Sequence, residues 1–382
     1  MIECDWQPSL TVAIDSTWPS GFYLFKISID NPSNGANGNV PLIIRNDQST
    51  AAFMIMSAVT TSQAYNHWGG RSLYVGPEGD SSRSRVVSFD RPYDYTSWGA
   101  PNFIGNEFPL CFLAESLGLD VTYTTDIDLH EQPTLLMNHQ CLFSLGHDEY
   151  WSQDMRTAAD QAIASGVNLA FLGSNAMYRH IRLEPSPLGP NRHQVCYKTD
   201  FMMEDPLWTV DPAEVTADWP TGPVPRPEQT TIGAQYTDLG AIAGMTIVNP
   251  TNWVFEGTGL SANQVLPNMI VGEYDFYDRY VPGPSNVEIF AHSPITNRGP
   301  GHWSDMTYYT APGGGGVLDT GNACFIYRLS NAPYIYPNLV PPAIPGVTSV
   351  LWRMMENVFS VFGTGPASAS HPSNPNTTTF YS

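Results

Sequence analysis

Along the first fifty residues, apolar and polar positions alternate in short runs broken by turn formers. "LTVAIDSTWPSGFYLFKISI" and "VPLIIRND" are rich in β-branched and aromatic residues, with Asn- and Gly-rich "DNPSNGANGN" between them. This pattern predicts strands joined by a turn. Residues 1–50 are therefore expected to hold roughly three strands, too few for a complete sandwich domain of about 100 residues.

From residue 51 the pattern changes. "AAFMIMSAV", "VTYTT", "CLFSLG" and "VNLAFLGSN" are short, nearly continuous apolar runs, as expected of strands covered on both faces. "NEFPLCFLAESLGLD" and "SQDMRTAADQAIASG" instead space their apolar residues as helices do, and each has a Gly at or near its end. Strand–helix–strand alternation at these lengths predicts βαβ units and an α/β fold with a parallel sheet over residues 51–180. Beyond, "EPSPLGPNRHQ" and "WPTGPVPRPEQT" read as Pro-rich loops, and "MTIVNP", "MIVGEYDF" and "SNVEIFAHS" as further strands. "TYYTAPGGGGVLDTG" reads as strand, Gly turn, strand, and "TSVLWRMMENVFSVFG" as a closing helix. The chain thus divides into a β segment (1–50), an α/β domain (51–365) and a loose tail (366–382), the last carrying a glycosylation sequon at Asn376.

With 42% hydrophobic and 12% aromatic residues in 382, the chain can bury a substantial core. Its net charge of −20, with Lys26 and Lys198 the only lysines, argues against nucleic acid or an anionic membrane surface as a partner. No apolar run approaches the ~18 residues of a membrane span. "MIECDWQPSL" has neither the basic start nor the apolar centre of a signal peptide. Five scattered cysteines (Cys4, Cys111, Cys141, Cys196, Cys324) form no CxxC pair and no complete disulfide framework.

In open α/β sheets ligands bind beyond the carboxyl ends of the strands. There "SLGHDEYWS" places His147, Asp148, Glu149 and Tyr150 in a row, and "GSN" places Ser174 and Asn175 at the end of "NLAFL". A third corner, "SQAYNHWGGRS", brings Tyr65. Helix capping by Asp148 or Ser152, with Glu149 near the positive helix end, accounts for one or two of these residues but not for four together. Glu149 and a phenolate oxygen are hard donors suited to iron. Such an ion polarises an amide carbonyl and acidifies a bound water, with His147 as orienter or general base. Ser174 sits as a nucleophile elbow would, yet Asn175-Ala176 breaks the G-x-S-x-G pattern, and His147 is the one base within reach.

The order of "TWPSGFYLFKI", "VPLIIRND", "QAYNHWGGRSLY", "VSFDRPY", "SLGHDEYWS", "GVNLAFLGSNAMY", "GTGL", "VGEYD", "YYTAPGGGGVLDTG" and "FGTGPASASHPS" resembles that in the large subunit of N,N-dimethylformamidase and its relatives, over residues 17–373. The resemblance implies an immunoglobulin-like origin for the first fifty residues and a class I glutamine amidotransferase-like core. It implies a mononuclear iron held by two tyrosines and one glutamate, activating water to hydrolyse a small N-alkylated formamide. Carried over, Glu149 is the glutamate and Tyr65 one tyrosine. His147, Asn175 and Glu273 are site residues, with Asn175 donating to the oxyanion. A small partner subunit or a homo-oligomer is also implied. One departure stands out: relatives often carry a tyrosine just before "VSFDRPY", where this chain has Arg85, a cation that would repel a metal. Tyr74, Tyr93 and Tyr123 are the alternative second phenols. The rival reading is a non-catalytic binding or self-assembling protein on the same fold.

Overall fold

The computed structural model describes residues 2–28, 37–93, 100–330 and 346–381. Near the N-terminus, β1 (Gly21–Ser28) and β2 (Asn37–Ile44) pair antiparallel over their whole length. No strand forms among residues 2–20, so the described part of this segment has two strands rather than three. The alternating "LTVAID" lies exposed, and none of the described strands pairs with it. The ribbon is anchored by Phe22, whose ring lies 5.0 Å from those of both Phe103 and Tyr123.

The core follows in chain order as β3 (Phe53–Ser57), α1 (Val59–Tyr65), β4 (Val86–Ser88), α2 (Ala100–Asn106), α3 (Phe108–Ser116), β5 (Val121–Thr125), α4 (Asp126–Glu131), β6 (Cys141–Gly146), β7 (Tyr150–Ser152), α5 (Gln153–Ala164) and β8 (Asn168–Gly173). Next come β9 (Arg179–Ser186), β10 (Gly189–Val195), α6 (Lys198–Phe201), α7 (Gln229–Ile232), β11 (Gln235–Thr246), β12 (Val265–Phe276), β13 (Glu288–Pro294), β14 (Trp303–Thr310) and β15 (Gly316–Asp319). The last elements are α8 (Phe325–Ser330), α9 (Val347–Phe362) and α10 (Thr377–Phe380). The main sheet has seven strands in the order β13-β14-β15-β8-β6-β3-β5. The five from β15 to β5 run parallel, and β14 and β13 continue the sheet antiparallel.

Every residue of β3, β6 and β8 is buried, which is why these strands read as apolar runs rather than alternations. Leu110, Leu113, Phe325, Leu351 and Phe359, from α3, α8 and α9, cover one face through Phe53 and Phe143. Met155, Ala159 and Ile163 of α5 cover the other through Met54, Leu142 and Leu169. The expected parallel α/β sheet is thus present. A smaller sheet, β4-β10-β9-β7, and the β11–β12 hairpin stand beside its carboxyl edge.

The tail is not loose. The Asn376 side chain pairs with the Ile289 backbone, donating to its carbonyl at 2.9 Å and accepting from its N–H at 2.7 Å. Tyr308 donates to the His371 carbonyl at 2.7 Å, and Tyr381 to Asp305. Polar composition suggested solvent, but Asn, Ser and Thr side chains satisfy the backbone at the edge of the sheet instead. All five cysteines are free. Among the described residues no helix is long and apolar enough to cross a membrane.

Candidate active site

β3 delivers Tyr65 by way of α1, whose start is braced by Glu107. That carboxylate accepts from Ser57 Oγ at 2.8 Å and from the Ala58 N–H at 3.2 Å. The far end of α1 is held by Arg91, which donates to the carbonyls of Gln63 and Asn66 at 3.3 and 2.9 Å. Gly69 and Gly70, with φ of 73° and 78°, then reverse the chain. The Leu73 N–H returns to the Ala64 carbonyl at 2.9 Å. Tyr74 is therefore set against Tyr65, the rings stacking at 4.1 Å.

Burial pushes the Glu107 carboxyl up to about 7 against its hydrogen bonds, with Asp148 adding to the rise. Asp148, Tyr93 and Cys111 are the titratable groups around it. Folding thus takes up a proton here between the ordinary carboxyl value and pH 7. The stability this group contributes is greatest below that window and is lost as pH rises through it. Relative to wild type, Glu107→Gln should gain at most about 2 kcal/mol between about pH 5.5 and 8. Urea unfolding at the two pH values measures the gain; parallel pH curves for the two proteins would contradict it.

The second corner carries the carboxylate. Ser152 caps α5, its Oγ accepting from the Met155 N–H at 3.3 Å, while Asp148 turns back to accept from Ser144 Oγ at 2.7 Å. Neither task falls to Glu149. Its backbone N–H donates to Thr61 Oγ1 at 2.9 Å, and its buried side chain faces the two tyrosines. Tyr65 donates to Oε2 at 2.8 Å, and Tyr74 to Oε1 and Oε2 at 2.9 and 2.7 Å. Arg179 Nε donates to Oε1 at 3.0 Å and, through its other arm, to Asp218. The chain of contacts continues through His147, whose Nε2 lies 3.5 Å from Glu149 and 3.1 Å from Glu273.

The third corner adjoins the second because Gly146 and Gly173 are the last register pair of β6 and β8. A Cβ on Gly173 would stand 1.8 Å from the Gly146 carbonyl oxygen, so only glycine lets the corners meet. Asn175 follows in a left-handed conformation, φ 58°, and its Nδ2 donates to Glu273 Oε1 at 3.1 Å. The structure thus brings Tyr65, His147, Glu149, Asn175 and Glu273 together. Glu273 comes from β12, 98 positions beyond Asn175.

One further basic residue belongs to the cluster beside Arg179. Lys198, buried and held at φ 58°, places Nζ 3.2 Å from the centroid of the Tyr74 ring. Burial, then Arg179, lowers its amine to about 7. Glu149 is opposed by burial, yet Arg179 first, then His147 and Lys198, hold its carboxyl below the usual value. Both phenols are pushed well above theirs, by burial and then by Glu149, so Tyr65 and Tyr74 are protonated donors here. For His147 burial works downward, but Glu273 and then Glu149 raise it to about 9.

Arg85 takes no part in this cluster. Its guanidinium lies 3.5 Å over the Phe201 ring and 3.5 Å from the Glu204 carboxylate, and it donates to the Arg83 carbonyl at 2.7 Å. The expected exchange of a phenol for a cation beside Glu149 is corrected: the second phenol there belongs to Tyr74. Tyr123 donates instead to Glu115, and Tyr93 faces Asp126 and Glu107. Among the described residues Ser174 Oγ is buried without a hydrogen-bond partner while His147 faces the two glutamates, so no Ser–His pair forms there. A cavity of about 650 Å³, lined in part by Asp160, Ile163, Tyr309 and Pro312, lies at the amino ends of the strands, away from this chemistry.

Residues 1–338 match the family described as N,N-dimethylformamidase beta subunit-like, C-terminal. The chain belongs to that family. A comparison with curated proteins finds no match. Among the described residues no group of three or more His, Cys, Asp and Glu is arranged to hold a metal; the convergent oxygens belong to one carboxylate and two phenols. Such a set of a dimethylformamidase-like protein fits a hard cation. Each phenolic oxygen lies 2.7–2.9 Å from an oxygen of the Glu149 carboxylate. Loading it would displace the phenolic protons that the carboxylate accepts here.

Proposed function

We propose that the protein is an iron-assisted amidohydrolase breaking the C–N bond of a small amide, such as an N-substituted formamide. The observation that carries this reading is the convergence of Tyr65 and Tyr74 on Glu149 at the carboxyl edge of the sheet, with the His147–Glu273 pair alongside. Family membership supports it. Tyr65, Tyr74 and Glu149 would hold the iron, and iron so held polarises a carbonyl and acidifies water.

The chain's own residues do the rest. Glu273 accepts a proton from the attacking water and returns it to the amine nitrogen as the C–N bond breaks, leaving a carboxylic acid and an amine. His147, 3.1 Å away, holds Glu273 in place. Asn175 turns one amide hydrogen to Glu273, and its buried Oδ1, which has no hydrogen-bond partner among the described residues, accepts from the attacking water. The second amide hydrogen is left for the oxyanion. Arg179 and Lys198 offset the negative charge gathered at Glu149.

The test is incubation of iron-loaded protein with N,N-dimethylformamide and N-methylformamide, measuring formate and amine. Equimolar formation of both is expected; their absence from every small amide tried would overturn the reading. Arg85→Ala is expected to keep wild-type iron content and turnover, because its side chain serves Phe201 and Glu204; loss of iron in that variant would return Arg85 to the site. The same reading includes a class I glutamine amidotransferase-like ancestry for the sheet and an immunoglobulin-like one for the β1–β2 ribbon. It also includes assembly with a small partner subunit or a second copy, which light scattering on the native preparation would detect.

A further inference from the structure

Asn175 is held at two points by one strand. Glu273 and Asp275, two apart on β12 and so on one face of it, each bind this residue. Glu273 takes the side-chain amide at 3.1 Å. Asp275 takes the backbone N–H with both carboxylate oxygens, at 2.9 and 3.1 Å. Asp275 is fully buried and has no contact with Glu149, Tyr65 or Tyr74 among its hydrogen bonds. A left-handed conformation is disfavoured for any residue with a Cβ, even asparagine, and Met177, two positions on, is left-handed as well, at φ 58°. A corner so strained persists only where its surroundings over-determine it.

The rest of the brace is in place. The Met177 N–H donates to the Asp148 carbonyl at 3.0 Å and the Arg179 N–H to the Glu149 carbonyl at 2.8 Å, tying this corner to that of Glu149. The Asp275 N–H donates to the Gly321 carbonyl at 3.0 Å, and the Gly321 N–H to Asp319 Oδ1 at 3.2 Å, so Asp275 is itself set by the end of β15. Asp319 Oδ2 is buried with no hydrogen-bond partner among the described residues. Burial and then the Asp319 carboxylate push Asp275 well up, the Asn175 N–H opposing.

We infer that Asp275 is a positioning residue of the reaction: by fixing the Asn175 peptide in its left-handed turn, it aims the Asn175 amide at Glu273 and so holds Glu273 against His147. The inference rests on the hydrolase reading for its kinetic consequence but not for its geometry. Removing the carboxylate frees the Asn175 N–H and lets the turn relax toward ordinary backbone angles. Proton transfer through Glu273 then loses its alignment, while the oxygens around Glu149 stay where they are.

The experiment compares wild type with Asp275→Ala and Asp275→Asn. It measures kcat and KM on N,N-dimethylformamide, iron content, Tm, and amide hydrogen exchange of a peptide spanning residues 173–178. Asp275→Ala is expected to lower kcat by about a hundredfold with KM changed less than about threefold. Iron content should stay at wild-type level and exchange at Asn175 should rise. Asp275→Asn, which keeps one acceptor oxygen, should recover part of kcat. Wild-type kcat in Asp275→Ala, or iron, Tm and KM all lost together, would overturn the proposal, the second outcome marking a residue needed only for folding. Should wild type cleave no amide, the hydrolase reading fails by itself. Exchange then decides the geometry: a faster Asn175 amide in Asp275→Ala upholds the clasp, and an unchanged one overturns it.

Discussion

Glu149→Gln is expected to purify with little or no iron and to lose amide hydrolysis by about a thousandfold or more. The argument is electrostatic. Glu149 is the one carboxylate on which Tyr65, Tyr74 and Arg179 all converge, within 3.0 Å. A neutral amide of the same shape fills the same space, its one oxygen still accepting there while its NH2 donates to a phenolic oxygen, so the pocket keeps its form. It no longer supplies the anion a hard cation needs, and the nearby Arg179 and Lys198 lose the charge that Glu149 set against them. Arg179 keeps its second partner, Asp218, so the fold should survive, with a lower Tm from one less-paired buried cation. Iron by mass spectrometry, turnover and a melting curve on one preparation check all three. Full iron content in the variant would remove Glu149 from the ligand set.

Glu273→Gln is expected to give the opposite pattern: iron retained and kcat down by roughly a hundred- to ten-thousandfold with KM little changed. Glu273 touches His147 and Asn175, not the two phenols, so the oxygens round Glu149 keep their arrangement. The amide cannot take a proton from water, and it leaves the His147 ring without its nearer anion. A parallel loss of iron would place Glu273 among the ligands, and undiminished kcat would take it out of the proton path.

Much of the fold was legible because its strands are buried on both faces. β3, β6 and β8 appear as "FMIMS", "CLFSLG" and "NLAFLG", and their order along the chain implies parallel crossovers. The three corners were legible for the same reason, since each follows the carboxyl end of such a strand. Glu273 was found only through the motif "VGEYD", because nothing local shows that a separate hairpin returns to the sheet edge. Tyr74 was one of three candidates. What selects it is the Gly69-Gly70 reversal, which stacks it on Tyr65, and that depends on two positive φ angles and one backbone hydrogen bond. Arg179 and Lys198 carried weaker signals: an arginine in an unremarkable strand and one of only two lysines in the chain. Arg85 misled because sequence order placed it near "VSFDRPY" while its side chain turns to Phe201. The tail misled because a polar segment can bind a sheet edge through side-chain amides as readily as it can face water.

The most direct test of a site made of two phenols and one carboxylate is the iron content of native protein beside Tyr74→Phe, measured by elemental mass spectrometry. Near-stoichiometric iron in the native protein, lost in Tyr74→Phe and kept in Arg85→Ala, is what the account predicts. Iron retained in full by Tyr74→Phe, or absent from the native protein even after loading, would contradict it.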